Sequence, residues 1–262
     1  MVRLAPLLLL LLYSAATVAG GAPLPARFSI VYRLSQAGIT LAELERKGRL
    51  AEDGSYIIES VAEPRGLAAW ILDGNTEERS QWMLKEGKVV PLRYTYRENG
   101  GSRKKRMDLE YDWGKGIVID HHSGRQWRLA EDTQDQTSIQ FAIMERLRGG
   151  EREFHYSLLD GKRIKHHHYR VTKRKMLDTR VGRIEVIGVR EVRPEGKRYS
   201  LFWCAPRYGY LPVRIEQHKR GSPTLITVVE KITGFRSPLR AAEKHLPVSC
   251  LRGTLPPVIL LK

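Results

Sequence analysis

The sequence predicts a mainly β protein: an antiparallel meander curled into a barrel or half-barrel, with one central α-helix at about 135–148. Three observations carry that prediction. Apolar residues recur at every second position through most of the chain. Glycine-bearing turn dipeptides separate those stretches. One segment changes to helical spacing.

The first strand is FSIVYRLS, with Phe28, Ile30, Tyr32 and Leu34 on one face and Ser29, Arg33 and Ser35 on the other. VVPLRYTYR sets Val90, Leu92, Tyr94 and Tyr96 against Arg93, Thr95 and Arg97. RMDLEYDW sets Met107, Leu109, Tyr111 and Trp113 against Asp108, Glu110 and Asp112, and EFHYSL aligns Phe154, Tyr156 and Leu158. One wet and one dry face is the mark of antiparallel sheets. Asp53-Gly54, Glu86-Gly87, Asn99-Gly100, Ser123-Gly124 and Asp160-Gly161 supply the turns, where glycine tolerates positive φ. A long meander twists and curls rather than staying flat, which predicts a partly open interior.

DQTSIQFAIMERLRGG breaks the alternation. Asp135 is placed to cap a helix that Gly149-Gly150 ends, and Ile139, Ala142, Ile143 and Leu147 share one face. This helix divides the meander and is placed to plug the concave side of the sheet. GLAAWIL, from Gly66 to Leu72, predicts a short helical turn.

The chain ends read differently. Arg3, the apolar run LAPLLLLLLYSAA and the small residues TVAGGA form a secretory signal peptide, residues 1–22, cleaved near Ala19 to Ala22. A retained membrane anchor is the competing reading. Residues 23–236 then form a single β-rich domain, and 237–262 a flexible basic tail. The expected location is the periplasm, with no transmembrane segment after cleavage.

The 45 basic and 29 acidic residues give a net charge of +16, which suggests acidic partners or a solvated basic surface. Export argues against nucleic acid and leaves lipid or an acidic envelope component as the expected partner. The oligomeric state stays open. Cys204 and Cys250 are the only cysteines; an oxidising compartment permits a bridge between them, and a buried free Cys204 is the alternative.

No catalytic residue, metal site or cofactor is predicted. His166 and His168 share a strand face, but a third ligand would have to come from His121 or His122, and Lys162, Arg163, Lys165 and Arg170 would repel a metal. His167 falls on the core face with Tyr169 and Val171. Asp108, Glu110 and Asp112 fit cross-strand charge pairing better than acid–base catalysis. LFWCAPRYGYLPVRIEQ reads as a hairpin, with Tyr199, Leu201 and Trp203 toward one face and a rigid turn at Pro206. Its rim supplies the candidate ligand-binding residues Trp203, Arg207, Tyr208 and Tyr210.

That hairpin resembles the signature hairpin of domain-of-unknown-function family 3108, a family of exported bacterial proteins. LDTRVGRIEVIGVREV is similar to its penultimate strands, DQTSIQFAIMERLRGG to its central helix, FSIVYRLSQAGITLAELE to its opening strands and VVPLRYTYRE to its proline-containing strand. The resemblance spans Phe28 to Gly234. It implies an exported, β-rich protein and no settled chemistry. Cys204 stands where the family pattern would place an aliphatic residue, against a shared catalytic thiol. Curved sheets of this kind are similar to periplasmic lipoproteins and lipid carriers, an analogy at the level of fold.

The resulting expectation is a non-enzymatic envelope module that binds or carries a lipophilic or acidic ligand. The alternatives are an interaction module with a packed interior and an envelope-polymer hydrolase. Interior volume separates the first two; close carboxylates in a cleft would mark the third.

Overall fold

The computed structural model describes residues 24–70, 74–100, 105–193 and 198–235. One sheet carries fifteen strands among these residues. The outgoing half is β1 (Arg27–Gln36), β2 (Ile39–Leu50), β3 (Tyr56–Pro64), β4 (Asn75–Lys85), β5 (Lys88–Asn99), β6 (Arg106–Asp112), β7 (Ile117–Asp120) and β8 (Gln126–Arg128). They are followed by the two-residue β9 (Thr133–Gln134) and the helix α1 (Ser138–Arg148). The return half is β10 (Glu153–Leu159), β11 (Ile164–Thr179), β12 (Gly182–Val192), β13 (Tyr199–Ala205), β14 (Leu211–Lys219) and β15 (Ser222–Thr233).

The spatial order is β8 through β1, then β15 through β9. The first and last strands therefore lie side by side in mid-sheet, with Ile30 opposite Ile232 and Leu34 opposite Thr227. Every pairing is antiparallel except β9 with β10. The sheet curls but does not close by backbone ladder; β8 and β9 are its two free edges. Side chains span the seam instead. Leu159 and Ile164, flanking the β10–β11 turn, pack with Tyr94, Met107 and Leu109, and Gln134 Nε2 donates to the Val89 carbonyl at 2.8 Å. Gly161 takes a positive φ in that turn, which favours glycine, and its missing side chain leaves room for the Met107 thioether.

The predicted alternation holds in β1, where Phe28, Ile30 and Tyr32 are buried, and in β6, where Met107, Leu109 and Tyr111 are buried. In β5 its phase slips. Val89 and Pro91 face the interior, not Val90 and Leu92, because a bulge falls between the Arg93–Gln81 and Pro91–Trp82 pairs. One extra residue shifts every side chain on one side of the bulge to the opposite face.

Helix α1 fills the concave side. Ile139, Ala142, Ile143 and Leu147 are buried as predicted, and so are Phe141 and Met144. Phe141 meets Phe28 and Trp82 with ring centroids 6.0 and 5.3 Å apart. Gly48 makes room for this contact, since a Cβ there would lie 2.1 Å from the Phe28 ring. Asp135 holds the helix start: its Oδ1 accepts the backbone N–H groups of Thr137 and Ser138 at 2.8 and 2.7 Å, and its Oδ2 accepts Ser80 Oγ at 2.8 Å. The GLAAW segment forms a single 3-10 turn, Gly66–Trp70. The predicted signal peptide, the basic tail and Cys250 lie outside the described residues.

Candidate functional site

Helix α1 does not fill the whole concavity. Beside its first turns an open cavity of about 870 Å³ remains, floored by Gln136, Ile139 and Gln140. Its walls come from both halves of the sheet. Leu34, Leu44, Phe202, Ile215 and Leu225 make part of the lining apolar. The charged lining is uneven, with five arginines and lysines against three carboxylates.

Arg46 is the distinctive member. On β2, Leu44, Arg46 and Gly48 point inward while Glu43, Glu45 and Lys47 point out, so an arginine occupies an otherwise apolar row. It is only 5% exposed. Its Nε donates to Ser60 Oγ at 3.0 Å and its Nη1 to Gln140 Oε1 at 2.7 Å. Both partners are neutral, and Arg46 forms no ion pair among the described residues. Burying a guanidinium without a counter-charge is costly, and a ligand anion would relieve that cost.

The other cavity charges divide into paired and unpaired groups. His167 Nδ1 lies 2.6 Å from Glu191 Oε1, Arg193 Nε donates to the same oxygen at 2.5 Å, and the Ser200 N–H donates to Oε2 at 3.1 Å. Burial pushes the Glu191 carboxyl up, but these donors outweigh it and hold it below the usual range. Asp160 is likewise pushed up by burial, yet Lys165 and the N–H groups of Lys162 and Arg163 bring it down to about 2. Glu78 accepts Tyr94 Oη at 3.2 Å and Thr137 Oγ1 at 2.7 Å. Arg163 and Arg198 form no ion pair among the described residues and stand with Arg46 as cations open to a ligand.

The hairpin rim sits elsewhere. Ser200 and Phe202 line the cavity, so Trp203 points to the opposite face. There Trp203 lies over Gly188, donates Nε1 to Glu216 at 3.1 Å and carries Lys175 Nζ 3.6 Å above its ring. Arg207 stacks on Tyr208 with its guanidinium 5.0 Å from the ring centre, and Tyr210 adopts φ +66° in the same turn. Tyr208 and Tyr210 pack against the main core. This turn follows Ala205, which pairs with Leu211, whereas the cavity lies toward Tyr199 and His218 at the other end of the hairpin. The structure brings Arg207, Tyr208 and Tyr210 together but none of the four lines the cavity. Cys204 is a free, fully buried thiol, pushed far up by burial. Among the described residues no three of His, Cys, Asp or Glu gather as a metal-binding group, and no helix is long and apolar enough to cross a membrane.

Arg46, His167 and Glu191 line the cavity and were not among the sequence candidates. The signal for Arg46 was its place in the apolar phase of LAELERKGRL, and for His167 its phase with Tyr169.

The family described as protein of unknown function DUF3108 matches residues 27–221. The chain belongs to that family. Its fold has a solved counterpart outside DUF3108: the β-barrel-like protein of domain of unknown function DUF1849 from Brucella abortus. That protein is 13% identical with a TM-score of 0.57, over 82% of this DUF3108 chain and 100% of its own. At that identity the likeness is one of fold. A Parabacteroides distasonis protein described as a lipoprotein (10% identity, 80% of this chain and 97% of its own) reaches a TM-score of 0.36. A Bacteroides fragilis protein described as exported, with a YmcC-like fold (10% identity, 81% and 98%), reaches 0.35. No curated protein matches this DUF3108 chain.

Proposed function

We propose that this protein is a non-enzymatic binding module of the cell envelope, whose open cavity takes an amphipathic ligand with an acidic head and an apolar body. The observation that carries this reading is Arg46, a buried cation with only neutral partners in a cavity whose other walls are partly apolar. The cavity's volume lies within the range of small-molecule sites, which combine apolar walls with a few placed polar groups. Export by residues 1–22, a single domain over 23–236 and periplasmic residence complete the proposal. The carboxylates of the cavity each serve neighbouring donors, which favours binding over acid–base hydrolysis.

The test is mass spectrometry of an organic extract from protein purified without detergent. A stoichiometric acidic lipid or isoprenoid is the expected result. A clean extract from protein that also fails to bind a fluorescent fatty acid would overturn the reading.

A further inference from the structure

We infer that the cavity-mouth end of the curled sheet docks on an anionic lipid bilayer. The register places several loops at that end. Leu34 and Thr227, which line the cavity, pair with each other, and Leu34 also pairs with Ala42, which pairs with Pro64. The 3-10 turn Gly66–Trp70 follows directly, with Gly66 close to the Thr40 carbonyl.

This turn carries the two most exposed large apolar side chains among the described residues, Trp70 at 89% and Leu67 at 71%. Ile39, at the start of β2 beside the same turn, is 52% exposed. By contrast Ala68 of the turn is buried and anchors it. An anchored turn that holds a tryptophan and a leucine outward presents apolar surface without a partner among the described residues. Tryptophan favours the bilayer interface, where its apolar ring and its N–H are both accommodated.

The surrounding charge selects the partner. The β10–β11 turn brings Arg163 and the β12–β13 connection brings Arg198 to the cavity mouth. The β14–β15 turn adds Lys219 and Arg220 at the end of the hairpin away from Ala205. None of these four forms an ion pair among the described residues. Basic residues at the same end of the sheet as the exposed Trp and Leu complement an anionic leaflet, where each nearby Lys or Arg strengthens binding about fivefold. Docking at this end would face the cavity toward the headgroups. The inference shares its location with the proposed binding function but does not require an occupied cavity.

Sedimentation with vesicles tests it. The purified protein should bind phosphatidylcholine vesicles that contain phosphatidylglycerol, bind pure phosphatidylcholine at least tenfold more weakly, and lose affinity as salt rises. The double variant Leu67→Ser, Trp70→Ser should bind the anionic vesicles at least tenfold more weakly while keeping the wild-type Tm, since both side chains are exposed. Arg163→Glu with Arg220→Glu should do the same through charge. Unchanged binding by both double variants, or no binding of the wild type to anionic vesicles, would overturn the inference. So would a wild-type dimer dispersed by the serine variant without any vesicle binding, which would assign the patch to a second copy. Fatty-acid binding that survives in the serine variant separates a failure of docking from a failure of the cavity.

Discussion

The Arg46 guanidinium on β2 donates to the side-chain carbonyl of Gln140 on α1 at 2.7 Å, tying the helix to the sheet at the cavity floor. A neutral acceptor leaves the positive charge uncompensated. Arg46→Met removes that charge together with two hydrogen bonds. Its effect on the empty protein is therefore small, within about 1 kcal/mol, because lost bonds and relieved desolvation oppose each other. Its effect on an acidic ligand is large. Loss of a charge-assisted bond weakens binding roughly tenfold to a hundredfold. Titration with a fluorescent fatty acid, beside guanidinium unfolding of ligand-free protein, reads both. Equal affinity in a normally folded variant would remove Arg46 from the site.

Asp135 gives the helix cap a pH signature. Burial raises its carboxyl from 3.8 to about 6, against the hydrogen bonds from Ser138, Ser80 and Thr137. The folded protein thus holds this proton more tightly than the unfolded chain does. The contribution to stability is full below the unfolded value and is lost as pH rises through about 6. Asp135→Asn keeps an acceptor for both backbone N–H groups and does not titrate. The difference in unfolding free energy between wild type and variant should move in the variant's favour by up to about 3 kcal/mol from pH ~4 to pH ~7. Parallel curves across that window would show that the buried carboxyl is not the cause.

Trp203 separates a structural role from a ligand contact. Phenylalanine there loses the Nε1 bond to Glu216 and weakens the Lys175 contact. Trp203→Phe should cost about 1–2 kcal/mol in urea unfolding. Fatty-acid affinity should stay unchanged, because the ring faces away from the cavity. A drop in affinity at constant stability would return the hairpin rim to the binding site.

Cys204 should be silent in the native state. Its thiol is fully buried and held protonated by burial, and the thiolate is the reactive form. In a Cys250→Ser background a thiol reagent at pH ~8 should label nothing in buffer and one group per chain in guanidinium. Rapid native labelling would mean that the β13–β14 hairpin opens.

Much of the architecture was written in residue spacing. Alternation located β1, β5, β6 and β10, and turn glycines located the hairpins. Asp135 with Gly149-Gly150 bracketed the helix to within its first turn. What failed to show was anything decided by a partner strand. The β5 bulge is set by its pairing with β4, so Val90 and Leu92 read as inward in isolation. The cavity was hidden for a related reason. Aromatic and basic residues crowd the Trp203–Tyr210 hairpin, which draws the eye, while the cavity depends on one arginine in an apolar row. Its phase marks that arginine as inward, but the cavity beside it appears only once the helix is seen to stop short of filling the concavity.

Hydrogen bonding of β1 to β15 has a temporal meaning. A chain that emerges N-terminus first exposes β1 early, yet its partner on that side ends at residue 233. Half of β1's backbone donors and acceptors wait until about two hundred further residues have been made. Contacts so distant in sequence form slowly. During that interval the open border of β1 is the place where another nascent copy would add, and where a holding chaperone would be most useful.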